Sequence, residues 1–426
     1  MGISNIIFVV LFIGAVVWFA INVKKIISNI QLGRKVERSD NAGIRWKTMI
    51  KVALGQSKMT ARPVAGLLHI VVYAGFIIIN LEMLEIVIDG ISGSHRIFEP
   101  LLGGLYSTFI NVFELMALGV IIGCIIFFTR RNIVHIPRFH KAEMKTWPKS
   151  DANIILVTEI LLMTAFLTMN AADIHTNGNF IVSSKLYGFL PTDENSLHLI
   201  ERSCWWFHIL GVLGFLNYLP YSKHFHILLA FPTTYYSNLL PKGQFTNMEA
   251  VTNEVKLMFD PNADPYAAAP EQEPNAEVIR FGAKEVNDLT WKNLMDSYSC
   301  TECGRCTSEC PANQTGKLLS PRKIMMDTRD RLEEFSANKG VDDGKSLLHD
   351  YITPEELRAC TTCNACTQAC PINLDPLSII MEMRRYLIME ESNAPQEWNG
   401  MATNIENNGA PWQFAQADRL NWATEE

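Results

Sequence analysis

Five stretches of the chain are apolar for long enough, or nearly so, to cross a bilayer, which takes about 20 mostly apolar residues. They are residues 6–21, 64–88, 109–128, 154–169 and 204–219. The fourth and fifth are short as written. The fifth is expected to run on past Pro220 through HFHILLAF with a kink. After residue 231 the long apolar runs stop, and beyond Pro241 the pattern is that of a soluble chain. FDPNADPYAAAPEQEPNAE has no period and reads as extended linker. Order is expected again at DLTWKNLMDSYS, a short helix, and after Ser320–Pro321, where Ser caps and Pro opens a helix. DPLSIIMEMRRYLIME reads as another amphipathic helix.

Charge sets the expected orientation. The loop after the first span holds ten basic residues, from Lys24 to Arg62, and the loop after the third holds Arg130, Arg131, Arg138, Lys141, Lys145 and Lys149. The loop after the second has only Arg96, and that after the fourth has Lys185 and Arg202. Basic loops stay inside, so the expected location is the bacterial cytoplasmic (inner) membrane. The N-terminus would face out and the chain after span five would be cytoplasmic. The N-terminus has no charged n-region and no A-x-A-like site, so it reads as a retained span and not a cleaved signal. The formal net charge of −7 gives no sign of nucleic-acid binding.

Eight of the ten cysteines fall in two runs, CTECGRCTSECP and CTTCNACTQACP. Both match C-x2-C-x2-C-x3-C-P, the bacterial ferredoxin run, in which the fourth cysteine ligates the other cluster. The reading is two 4Fe–4S clusters, one on Cys300, Cys303, Cys306 and Cys370 and one on Cys360, Cys363, Cys366 and Cys310. Three close cysteines wrap one corner of a cubane, and small or polar residues between them leave N–H groups free for its sulfides. Structural zinc uses two C-x2-C pairs set further apart. A disulfide framework belongs to small secreted domains, which this is not. Cys124 and Cys204 lie in apolar segments and read as packing residues.

Ionisable side chains within a span are costly and hence functional candidates. His69 lies near the inner end of span two and His226 in the inner extension of span five. The two spans run antiparallel, so these imidazoles come to similar depth, where facing histidines can hold a haem iron. Lys223, Arg62 and Arg138 are candidate partners for its propionates. His208 is 18 residues before His226, five turns along an unkinked helix, with the depth for a second haem or for a quinone. Ile79, opposite it, offers no ligand. Asn80 is a poor substitute, and His175 or His198 would have to serve. His224 would point to nearly the opposite face. Glu82, Glu85, Glu114 and Glu159 read as proton relays or, more simply, as paired or solvated carboxylates.

The stretch FHILGVLGFLNYLPYSKHFHIL resembles the last span of the gamma subunit of respiratory nitrate reductase. The resemblance implies two b haems, with His208 and His226 as last-span ligands and His69 as the inner ligand of span two; the other span-two ligand would fall at Ile79, where this sequence departs from the pattern. TWKNLMDSYSCTECGRC…CPANQTGKLLSPRKIM…RACTTCNACTQACP resembles the iron–sulfur domain of heterodisulfide-reductase-like oxidoreductases. That family commonly continues into cysteine-rich CCG domains. None is seen here, so the resemblance implies a separate CCG-domain or flavoprotein subunit as partner.

The expected architecture is an all-α membrane bundle of five transmembrane helices (1–235), a linker (236–290), a mostly α-helical two-cluster ferredoxin-like domain (291–390) and a tail (391–426). The expected function is electron transfer between a soluble redox partner, two 4Fe–4S clusters, haem b and a membrane quinone. The alternative is a haem-free membrane anchor that recruits a catalytic partner to a ferredoxin module. A redox sensor would need an output module, and none is visible. No nucleotide or flavin fingerprint is present, which leaves such chemistry to partners.

Overall fold

The computed structural model describes residues 2–173, 180–241, 243–262 and 280–424. Among them there are only isolated β-bridges, and the architecture is helical. Five long helices carry the five apolar stretches: α1 (Ile3–Ile30), α2 (Pro63–Ser92), α3 (Gly104–Asn132), α4 (Trp147–Ala172) and α5 (Glu194–Tyr218). All five are long and apolar enough to cross a membrane. The short fourth and fifth stretches lengthen into full spans because their helices continue through polar flanks. In lipid the backbone has no other partner for its N–H and C=O groups. Local signals set the ends. Pro63 occupies the first turn of α2, and Gly93, with φ of 81°, turns the chain away after its last residue. Asp193 caps α5 by accepting the Ser196 N–H at 2.9 Å.

The spans pack as a closed ring, α1 on α2, α2 on α3, α3 on α4, α4 on α5 and α5 back on α1. Close approach uses small residues, as membrane helices require. The ring of Phe8 lies on Gly90, where a β-carbon would come within 2.6 Å of it. Ile79, Ile110, Phe113, Phe166 and Ile209 fill the half of the bundle far from the iron–sulfur domain. Val10, Ile13 and Val17 on α1 remain exposed, as a lipid-facing surface demands.

A polar network closes the far end. Arg96, in the turn after α2, is buried. Its Nε donates to Asp173 at 2.7 Å, Nη1 to the Tyr106 hydroxyl at 2.9 Å and Nη2 to Asn170 Oδ1 at 3.2 Å. Tyr106 donates to Glu85 at 2.8 Å, and the Phe98 N–H donates to the same carboxylate at 2.9 Å. Glu114 accepts from Asn170 at 3.3 Å and from the N–H groups of Val182 and Ser183 at 2.8 and 3.0 Å. Two of the four intramembrane acids are therefore hydrogen-bonded parts of a lock between α2, α3 and α4.

Beyond α5 the chain breaks where a kink was expected. Pro220 brings two 3₁₀ turns, Leu219–Tyr221 and Lys223–Phe225, before α6 (His226–Tyr235). Asp151 of α4 stabilises the break. It accepts from the Tyr218 hydroxyl at 2.5 Å, from Ser222 Oγ at 2.6 Å and from the Lys223 N–H at 3.1 Å. The expected linker contains a helix, α7 (Glu249–Phe259), and residues 263–279 lie outside the described residues. Ala283, Val286 and Leu289, also expected as linker, are buried in the core of the iron–sulfur domain. There follow α8 (Trp291–Ser299), capped by Thr290, α9 (Pro321–Ala337), capped by Ser320 as its sequence predicts, and α10 (Pro376–Met389), capped by Asp375. The tail holds α11 (Gln396–Asn408). Ile26 and Ile30 of α1, with Leu219 and Phe225, pack in one core with Leu294, Ile324 and Ile379. Bundle and domain are thus joined by a continuous apolar seam.

The far-end lock gives a stability prediction. Arg96→Ala takes the guanidinium away from the buried Asp173 and from the Tyr106 hydroxyl that serves Glu85, and should cost about 3–5 kcal/mol. Lys345→Ala, at the half-exposed pair with Glu334, should cost less than about 1 kcal/mol. Thermal unfolding in detergent measures both.

Candidate electron-transfer sites

The two cysteine runs fold into loops of the same shape. Glu302 and Gly304 in the first have φ of 55° and 69°; Thr362 and Asn364, at the same places in the second, have φ of 57° and 62°. Left-handed residues at these spots turn successive N–H groups inward, an arrangement that suits an anionic centre. Each loop leads into a single helical turn, Arg305–Glu309 and Ala365–Ala369, and the two turns pack on each other. At Gly304 there is a second constraint. A β-carbon would lie 2.5 Å from Arg322 Nη1. Arg322 is fully buried and cannot yield, since it donates to the Arg138 carbonyl and to Glu143, both at 2.7 Å.

Cys300, Cys303, Cys306 and Cys370 line one cavity, together with Cys366. Three residues of the first run and the last of the second are thus brought together. Cys360, in turn, lies within electrostatic reach of Cys310 and Cys363. Among the described residues no three His, Cys, Asp or Glu side chains converge on a single ion. Burial pushes the Cys300, Cys366 and Cys370 thiols up to about 12, and neighbouring cysteines add to the effect on Cys300 and Cys370. Thiolates in so buried a site need bound iron to offset the lost hydration.

The loops are held against the bundle by the basic residues that the sequence uses to mark orientation. Lys58 Nζ donates to the Cys370 carbonyl at 2.9 Å and to Asn373 at 2.7 Å. Arg305 returns a bond to the Lys58 carbonyl at 3.1 Å. Arg62 donates to Ser308 at 2.5 Å and to Glu309 at 3.1 Å. Lys223 pairs with Glu302 between Cys300 and Cys303, and its side chain is 8% exposed. Ser299, next to Cys300, shares a hydrogen bond of 2.6 Å with Thr233 of α6.

His69 and His226 meet across the bundle with ring centroids 6.5 Å apart and planes inclined at 44°. An iron held by two imidazoles through bonds of about 2 Å would put ring centres about 6 Å apart, a separation close to the one seen here. The Nδ1 of His226 lies 3.0 Å from the Lys223 carbonyl. A bond of this kind fixes the ring and leaves Nε2 as its other polar atom. The buried Nδ1 of His69 has no partner. Of the expected propionate cations, Lys223 and Arg62 are engaged by the iron–sulfur domain, while the buried Nε of Arg138 has none.

Two placements differ from expectation. His224 packs against His226 at 5.5 Å, not on the opposite face, because a 3₁₀ turn separates the two residues from α5. Pro220, followed by YSKHFH, was the available signal, and helical counting through it misplaced the ring. His208 does not share a continuous face with His226, since the helix breaks between them. It is buried in the far half of the bundle, edge-on to Phe166 at 5.9 Å, and neither of its nitrogens has a partner. Ile79 is in the apolar core, Asn80 bonds its own helix at 2.5 Å, His198 is exposed, and His175 lies outside the described residues. The contacts of Lys58, Lys223 and Arg305 across the seam were not visible: Lys58 is expected for orientation alone, Lys223 as a propionate partner, and Arg305 is one polar residue within the first cysteine run.

Residues 299–374 match the 4Fe–4S dicluster domain family. Over 99% of its length the chain is 26% identical to a protein described as a probable iron–sulfur-binding oxidoreductase, FadF, of Bacillus subtilis, and it covers 61% of that protein. It is 25% identical over 92% of its length to the EtfAB:quinone oxidoreductase of Syntrophomonas wolfei, covering 55% of it. It is also 32% identical, over 27% of its length, to a component of the ferredoxin/F420H2-dependent CoB–CoM heterodisulfide reductase of Methanosarcina acetivorans, covering 60% of that component. The chain therefore spans about three fifths of the length of the curated relatives it matches along its whole extent. No solved structure matches it.

Gly304→Val should disable one loop and leave its twin intact. Iron in the purified chain should fall by about four atoms, one cubane, while Asn364→Gly keeps the full complement; metal analysis reads both. The chain's homologues are iron–sulfur oxidoreductases, heterodisulfide reductase subunits among them, and its residues 299–374 form a 4Fe–4S dicluster domain beside a bundle of membrane helices.

Proposed function

We propose that the chain is the membrane-anchored electron-transfer subunit of a quinone-linked oxidoreductase. It passes electrons between a soluble redox partner, two 4Fe–4S clusters, haem b and a membrane quinone. The first cluster takes Cys300, Cys303, Cys306 and Cys370; the second takes Cys360, Cys363, Cys366 and Cys310. His69 and His226 are the axial ligands of the haem. The clusters and the haem would each supply one-electron redox chemistry when bound. The chain's residues position, insulate and tune them. Lys58 and Arg62 hold the cysteine loops against the start of α2, seven residues before His69 in the case of Arg62. The Lys223 carbonyl orients His226, and α8 to α10 exclude water from the cysteine loops.

The observation that carries this reading is the His69–His226 pair, with ring centres 6.5 Å apart and in touch with the cysteine loops through Lys223 and Arg305. The relative from Syntrophomonas wolfei, named for its reaction with quinone, supports the acceptor. The basic inner loops support a cytoplasmic iron–sulfur domain. The catalytic partner is a CCG-domain or flavoprotein unit. A second reading, the haem-free anchor, draws on His224, since three imidazoles that pack on one another can fill the space without iron.

Iron content separates the two: about nine atoms per chain with one haem and about eight without. Reduced-minus-oxidised spectra of the anaerobically purified chain should show a b-type band that His226→Ala abolishes while the cubane resonance signals persist. A wild-type chain without that band removes haem from the proposal. Cys370→Ser should extinguish the same cluster signal as Cys303→Ser, and Cys310→Ser the same as Cys363→Ser; any other pairing overturns the ligand assignment.

A further inference from the structure

Where the bundle meets the iron–sulfur domain, a cleft opens beside the Lys223 turn. Its rim is formed by Trp147, the first residue of α4, and Tyr221, just past the end of α5, with exposures of 48% and 56%. Both stand where a span leaves the membrane, the depth at which amphipathic aromatics settle. The floor is the Lys223–Glu302 ion pair, and Glu302 lies between two cysteines of the first run. On the water side the cleft is bordered by the carboxylates of Asp330 and Glu333. One end of this cleft therefore faces the lipid boundary, another faces solvent, and its floor is one residue from a cluster ligand.

We infer that this cleft is the binding site for the head group of a membrane quinone, with its carbonyl edge against Lys223 and its ring between Trp147 and Tyr221. The inference rests on the quinone-linked reading above and gives that substrate a place. The cleft holds about 70 Å³, room for about two waters or for the leading edge of a ring whose remainder lies against the exposed rim. Its lining carries two more acidic than basic side chains, which disfavours a lipid phosphate and suits a neutral ring that must gain or lose protons.

The chemistry balances on both sides. Reduction adds two electrons, delivered singly through the clusters from a reduced soluble flavoprotein, and two protons drawn from water by way of Asp330 and Glu333. Both carbonyl oxygens become hydroxyls, and no ring bond breaks. With quinol as donor the same steps run backward. His226 lies on the other side of the same turn, bonded to the Lys223 carbonyl, so the cleft is reached from the proposed haem as readily as from the cluster.

The test uses the full chain with its clusters, in detergent. Binding is read first, by quenching of the fluorescence of 2-heptyl-4-hydroxyquinoline N-oxide, a quinol analogue. Trp147→Ala with Tyr221→Ala should weaken it about tenfold, the loss of two aromatic contacts. Next, chain reduced with dithionite is mixed with 2-methyl-1,4-naphthoquinone. Reoxidation should slow about tenfold or more in that double variant and in Glu333→Gln, while ferricyanide reoxidises all three proteins alike and their cubane signals are unchanged. Variants that bind the analogue and react with the naphthoquinone as the wild type does overturn the placement of the site alone. A wild-type chain that no quinone reoxidises overturns the quinone-linked reading itself, and the site with it.

Discussion

The Lys223–Glu302 ion pair is the contact on which the arrangement turns. Both side chains are almost wholly withdrawn from water, at 8% and 2% exposure. Two charges taken out of water are stable only when each has the other and further hydrogen bonds besides. Glu302 has the guanidinium of Arg329 at 3.0 Å as a second cation. Lys223 also donates to the Pro148 carbonyl. Removal of either partner would strand a buried charge at the seam between bundle and domain. The pair therefore fixes the register of one on the other more firmly than the surrounding apolar contacts, which tolerate sliding.

The backbone of the same residue faces the other way. Its carbonyl meets the Nδ1 of His226, and its N–H is taken by Asp151 of α4. A three-residue turn thus ties a cluster loop, a membrane span and a candidate haem ligand. It exists because Pro220 cannot continue α5. In a continuous helix, Lys223, His224 and His226 would spread around the axis at about 100° per residue. Broken into 3₁₀ turns, they gather at one place.

Much of this was legible in the sequence, for reasons that differ by element. The cysteine runs were, because a cubane demands a fixed spacing that few other sites share. The spans were, because hydrocarbon tolerates few alternatives to a long apolar helix. His69 and His226 could be paired by depth alone, since span direction follows from connectivity. What failed depended on geometry that periodicity does not carry. Counting turns through Pro220 put His224 on the wrong face and joined His208 to His226 along a helix that is not continuous. The helix Glu249–Phe259 was hidden in a segment whose neighbours are rich in Pro and Ala. Arg96 was read as a stray positive charge in an outer loop, yet it is the hub that satisfies Glu85 through Tyr106 and reaches Asp173 directly.

The basic loops that flank the spans do more than carry charge. Positive charge there is the sequence signal expected to govern insertion, and some of the same residues act as donors to the iron–sulfur domain. Lys58 and Arg62 grip the second and first cysteine loops immediately before α2 begins, and Lys223 grips the first immediately before α6. His69 and His226 each lie within the first two turns of those helices. Both imidazoles are thus attached to the cysteine loops through the inner ends of their own helices, by charged bonds and short stretches of helix. A displacement of the domain would carry both rings with it. Sites that must keep their geometry to a fraction of an ångström are best built on rigid elements with locked supports. Here the supports are basic residues that periodicity and charge alone would mark only as orientation signals.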